Sequence, residues 1–102
     1  MRALERANSV RLARAELKRA VARGDLDPAE VVRDCPWQTE SMTISELLTS
    51  QRRWGRTRAR KFLMPLSLSE NKQLGTLTPR QRSILSTELA ARTSGAPRGA
   101  LV

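Results

Sequence analysis

Three helix-start signatures recur along this chain of 102 residues, and they constrain its fold more than any other feature. Asp27-Pro28-Ala29-Glu30, Thr43-Ile44-Ser45-Glu46 and Thr78-Pro79-Arg80-Gln81 each set a capping side chain three residues ahead of a Glu or Gln. The first side chain accepts from an amide of the opening turn, the Glu or Gln reaches back, and proline just after the cap already holds a helical φ. Helices are therefore predicted to start at about residues 28, 44 and 79. Pro36 stops the first, the second ends near Gln51, and the third carries Ile84, Leu85 and Leu89 on one face to about Arg92. Ahead of all three, nothing between Ala3 and Arg23 breaks a helix. Val10, Ala13, Leu17, Ala20 and Val21 form an apolar stripe at three/four spacing there, and Gly24 suits the residue just past a helix end. Residues 36–41 read as a loop, and residues 66–77 as an irregular linker turning at Gly75.

The expected fold class is all-α: a long N-terminal helix over about 3–23, then short helices, in one domain over 1–92. Aromatic residues are only 3% of the chain, so Leu, Val, Ile and Ala must build the core, which favours packed helices over a sheet sandwich. Trp37 is expected to plug that core. The small, polar stretch within 93–102 is expected to be a disordered tail. Cys35 is the sole cysteine, which leaves no intramolecular disulfide and fits a small packing residue in a reducing cytosol. The chain has no histidine, the commonest general base and metal ligand, so no metal, no cofactor and no catalysis are expected. No apolar run is long enough to span a membrane, and Met1–Arg6 lacks the apolar stretch of a signal peptide, so a cytoplasmic protein is expected.

Charge narrows the partner. Nineteen cations face ten acids, a formal net charge of +9, and sixteen of the nineteen are Arg, whose planar fork of donors matches phosphate. Arg52, Arg53, Arg56, Arg58, Arg60 and Lys61 put six cations into ten residues, and the next acid is Glu70. A helix is predicted from Arg56 to Met64, directly after a turn at Trp54-Gly55 and ahead of Pro65. The unpaired amides and positive dipole end of a helix N-terminus bind anions and disfavour cations. Arg53, Arg56 and Arg58 at that end, with Thr57 between them, therefore suit a bound phosphate. Gly55 allows a positive φ and lets a backbone approach closely, while Ala59, Phe62 and Leu63 form the buried side. The plain alternative is a solvated basic face. Trp54 either anchors the turn in the core or projects toward a sugar or base step. A weaker second site is Lys72 with Arg80 and Arg82 at the last helix start, and Arg11, Arg14 and Lys18 form another basic face on the long helix.

These segments together resemble the actinobacterial integration host factor family, which is unrelated in fold to the two-subunit enterobacterial protein of the same name. Ala13-Arg-Ala-Glu-Leu-Lys18 is similar to the family's basic long helix, and Met42-Thr-Ile-Ser-Glu-Leu-Leu48 to its next helix start. Arg53-Trp-Gly-Arg-Thr-Arg-Ala59 is similar to its glycine turn and basic helix, and Leu77-Thr-Pro-Arg-Gln-Arg82 to its Leu-Gly-Asp-Arg-Gln-Arg stretch. The resemblance covers roughly 11–89, with a length change near 35–41. It implies a helix–two-turns–helix module like that of ribosomal protein S13, over about 43–92. It also implies binding to double-stranded DNA with little sequence preference, bending or compaction, nucleoid association, and phosphate contacts at 53–58. Two departures stand out: the family's Pro-Gly-Val-Gly hairpin is Arg52-Arg53-Trp54-Gly55 here, and Lys72-Gln-Leu-Gly-Thr-Leu77 keeps one cation of an Arg-rich stretch. Such differences suit a divergent member, such as one carried by a phage or mobile element.

Three classes of function follow. The first is an architectural DNA-binding protein, a monomer and a cofactor of site-specific integration. The second is an RNA- or ribosome-associated module, since S13 uses the same motif on RNA. The third is a protein-interaction regulator of an integrase or polymerase. DNA glycosylases share the module, but they need a second domain and a nucleophile. This chain has no proline after Met1 and no zinc-binding cysteine set, and capping accounts for Asp27 while Asp25 has no evident partner.

Overall fold

The computed structural model describes residues 2–93, with side chains for residues 7–92; the rest of the expected tail, 94–102, lies outside the described residues. Five α-helices run in order among them: α1 (Arg2–Arg23), α2 (Pro28–Asp34), α3 (Ile44–Leu48), α4 (Arg56–Leu63) and α5 (Pro79–Thr93). Short 3-10 turns at Trp37–Thr39, Met64–Leu66 and Leu74–Thr76 link them. No β-strand forms among the described residues, so the fold class is all-α as expected.

The capping chemistry is present at each expected start. The Asp27 carboxylate accepts from the Ala29 amide at 2.9 Å. The Thr43 hydroxyl accepts from the Glu46 amide at 3.1 Å. At α5 the box is reciprocal: the Gln81 amide donates to the Thr78 hydroxyl at 3.1 Å, and the Thr78 amide donates to the Gln81 side-chain oxygen at 3.0 Å. Glu46 does not complete its own box, because its carboxylate turns to Lys18 and Arg14 of α1. Gly24 ends α1 at φ +83°, the left-handed conformation expected there, and Arg23 pairs with Asp25 at 2.9 Å.

The core lies where α2, α3, α4 and α5 converge. Val31, Val32, Ile44, Leu47, Leu48, Leu63, Leu85 and Leu89 are buried together with Met42 and Leu74, and α2 packs along α5. Each fully buried aliphatic side chain contributes about 1.5–3 kcal/mol of transfer free energy, which lets helices of five to eight residues persist without being stable alone. α1 joins through its C-terminal half, where Leu17 and Val21 are buried, while Leu12 one and a half turns earlier is 69% exposed.

Four expectations are corrected. Residues 66–77 are not irregular throughout: 70–75 runs antiparallel to 40–45, with the Ile44 amide donating to Lys72 O, Ser45 to Glu70 O, Leu74 to Met42 O and Gly75 to Glu40 O, each at 2.9 Å. Trp37 is 55% exposed rather than a core plug. A single 3-10 turn directs one of its three side chains inward, and that one is Thr39, whose hydroxyl donates to Pro36 O at 2.7 Å. Ile84 is exposed at the edge of α5, whose inward face is formed by Leu85, Ser86 and Leu89. α3 stops at Leu48 rather than Gln51, because the chain folds into turns closed by Ser50 N–H to Leu47 O and Gln51 N–H to Leu48 O.

Candidate nucleic-acid interface

The link from α3 to α4 is two successive turns. After the turn that ends α3, the Trp54 amide donates to Gln51 O at 3.2 Å and closes a second, four-residue turn. Its third residue, Arg53, has φ +74°, the place that glycine normally takes in a type II turn. Gly55 allows a positive φ but does not take one. It instead sits at φ −96° and ψ −176°, extended backbone open to any residue. The sequence misled because the one glycine of the turn is not where the chain bends into the left-handed region. A Cβ built on Gly55 would meet nothing within 4 Å, so no neighbour in the chain requires a glycine there.

α4 begins differently from its neighbours. At α3 the first three amides are all engaged, by Lys72 O, Glu70 O and the Thr43 hydroxyl. At α4 the cap is Gly55, which offers no side chain, and the first turn holds no acid. Among the described residues the amides of Arg56, Thr57 and Arg58 find no acceptor; the first engaged amide is that of Ala59, to Gly55 O at 3.1 Å. Unsatisfied donors at the positive end of a helix dipole are an anion-binding arrangement. Arg52, Arg53, Arg56, Thr57 and Arg58 are exposed around this end and Lys61 is exposed in the last turn of α4, and none of the five cations pairs with an acid among the described residues. Ala59, Phe62 and Leu63 are buried and seat the helix as expected.

Trp54 resolves to the inward alternative. It is 9% exposed, its ring meets Phe62 edge-on with centroids 5.3 Å apart at 77°, and the Arg58 guanidinium lies 4.7 Å from its centroid. The ring therefore does not project from the turn. Arg53 in the left-handed region reverses the chain just before Trp54, and the apolar ring packs with Phe62 of the core.

The remaining site candidates separate. Arg60 donates to the Glu70 carboxylate at 3.0 Å, so the next acid in the sequence folds back onto the basic run. Arg80 is exposed, and Lys72 is half-buried with its carbonyl engaged by Ile44. Arg82 is not a free cation. Its guanidinium donates to Val32 O at 2.7 Å and to Leu74 O at 2.8 Å, tying α2 and the 70–75 segment to α5. Arg80 and Arg82 also lie far from the turn of α5 that reaches α4. Arg92 stands over Phe62 at 5.7 Å, and the axis from Arg80 to Arg92 is about 18 Å at 1.5 Å per residue. On α1, Arg11 is exposed, whereas Arg14 and Lys18 converge on Glu46, and Arg14 also donates to Ser41 Oγ and Gln38 O. Two of the three cations on that face thus fasten α1 to the body. No group of three His, Cys, Asp or Glu side chains suited to a metal occurs among the described residues, and no helix there is long and apolar enough to cross a membrane.

The chain is similar to known proteins. The chain is 33% identical over 85 residues to the integration host factor of Mycobacterium tuberculosis (strain ATCC 25618 / H37Rv), with 81% of each chain covered. It superposes on a solved structure of sIHF bound to an 8-bp palindromic DNA with a TM-score of 0.73 at 28% identity, covering 83% of this chain and 98% of that one. No protein-family model matches the sequence.

Proposed function

The chain belongs to the integration host factor family of the mycobacterial type, and from that premise we propose that it is an architectural DNA-binding protein that neutralises duplex phosphates, reads few bases and bends or compacts the DNA. The observation that carries this is the contrast between helix starts. α2, α3 and α5 are capped by Asp27, Thr43 and Thr78, while α4 opens with free amides and a ring of unpaired Arg. A protein stable on its own would place an acid or a cap there; a protein that meets a phosphate leaves the place open.

In this proposal the phosphates lie against Arg52, Arg53, Arg56, Thr57, Arg58 and Lys61, with the bare Gly55 backbone letting one approach closely. Arg80, Lys72 and Arg11 extend the positive field without forming the main contact. Arg60 joins when it leaves Glu70. The protein binds rather than catalyses, and it acts as a monomer in the nucleoid, where an integrase or another recombination protein uses the DNA shape it imposes. Among the described residues the exposed large apolar side chains, Leu12, Trp37, Met64 and Ile84, lie on four different elements, which supports the monomer.

Reversing two central charges tests the site. R56E/R58E, shown to stay helical by circular dichroism, is expected to lose at least about tenfold in duplex affinity at moderate salt. Unchanged binding overturns the assignment. A structured RNA hairpin competing in the same gel shift separates a duplex-DNA protein from an RNA module, and the duplex is expected to win.

A further inference from the structure

We infer that Trp54 is a positioning residue: it holds the Arg58 guanidinium over its ring, so that the donors of Arg58 are already ordered at the start of α4 before a phosphate arrives. The inference rests on the phosphate site proposed above and specifies how one of its cations is presented.

A free arginine on a surface samples many rotamers, and ordering it on binding opposes affinity. Arg58 is placed otherwise. Its guanidinium sits 4.7 Å from the Trp54 centroid, within the range of a cation–π contact. The ring is itself fixed. It is 9% exposed, and Phe62, 5% exposed, meets it edge-on at 77° and 5.3 Å. Phe62 carries a second guanidinium, that of Arg92, at 5.7 Å. Arg58, Trp54, Phe62 and Arg92 thus form a ladder in which two core aromatics hold a cation at each end. A guanidinium held over a ring keeps N–H donors free for other partners, and no acid among the described residues pairs with Arg58.

The turn places the ring under this cation. Trp54 follows the left-handed Arg53, and Arg58 lies four residues on, in the first turn of α4. A smaller apolar residue at 54 would fill core space without offering an aromatic face. Trp54 acts through Arg58 and does not itself touch DNA.

The test is a double-mutant cycle on the full chain with a short duplex. W54L is expected to weaken binding about three- to fivefold, the worth of an exposed cation–π contact, and W54F to weaken it less. In an R58A background the same W54L change is expected to have no further effect. An equal loss in both backgrounds, or none in either, overturns the positioning role. If R58A alone leaves affinity unchanged, it is the phosphate site that fails, which separates the two claims. A readout free of any variant's folding comes from the wild-type protein by NMR: the Arg58 Cδ protons are expected upfield of their usual position from the indole ring current. Unshifted protons overturn the stacking.

Discussion

The Arg82 guanidinium and the Val32 carbonyl meet at 2.7 Å across fifty positions of sequence. That one side chain, which also reaches Leu74 O at 2.8 Å, closes α2 and the 70–75 segment against α5. A cation that the sequence suggests for DNA is in fact spent within the fold.

Arg82→Ala should therefore act on stability. It leaves the two carbonyls without their charge-assisted partner, a loss of about 1.5–3 kcal/mol. Thermal unfolding should fall by roughly 4–8 °C per kcal/mol for a domain of this size. The salt dependence of DNA binding should stay as in the wild type, because the guanidinium is engaged by Val32 O and Leu74 O within the fold. A normal melting temperature with a reduced salt slope would reverse the assignment.

Arg53→Gly should do the opposite. An L-residue in the left-handed region costs about 1 kcal/mol that glycine avoids, so relieving φ +74° is expected to raise stability by about that amount. The same change removes an exposed cation beside α4, and the slope of log K against log salt should shrink by about one ion. Denaturant titration and gel shift on one preparation read both effects.

The glycines at 55 and 75 should respond in contrasting ways to alanine. At Gly75 a Cβ would come within 2.9 Å of Glu40 O, so G75A is expected to destabilise by disrupting the 40–45/70–75 pairing. At Gly55 nothing lies within 4 Å and φ is ordinary, so G55A should fold normally. If the bare backbone admits a phosphate, G55A nonetheless weakens duplex binding. Normal binding by G55A would mean that no close approach occurs there.

Glu70→Gln should tighten binding modestly. The Arg60–Glu70 pair at 3.0 Å competes with DNA for Arg60. Because Arg60 is largely exposed, the pair contributes at most about 1 kcal/mol to stability. An affinity gain of about two- to fivefold at low salt that disappears at high salt is the expected titration result.

How much of this was legible from the residues follows the range of each interaction. Asp27, Thr43 and Thr78 cap helices through bonds to amides two or three residues away, so their starts are written locally. The basic turn is legible for the same reason: its cations, its glycine and the following helix are consecutive. The partner of Arg82 lies fifty positions distant, and the pairing of 70–75 with 40–45 joins extended segments with no alternating pattern, so neither could be read from spacing. Arg53 hid the left-handed turn position because that place usually announces itself with glycine. Trp54 was open in the sequence because a tryptophan beside a basic turn suits both the core and a ligand. Its burial against Phe62 depends on where α4 is seated, which tertiary packing alone decides.

The central claim, binding through phosphates at the start of α4, is tested most directly by the duplex affinity measured across a series of salt concentrations. With about four to six phosphates neutralised, log K should fall against log salt with a slope of about −4 to −5. A slope near zero would contradict it.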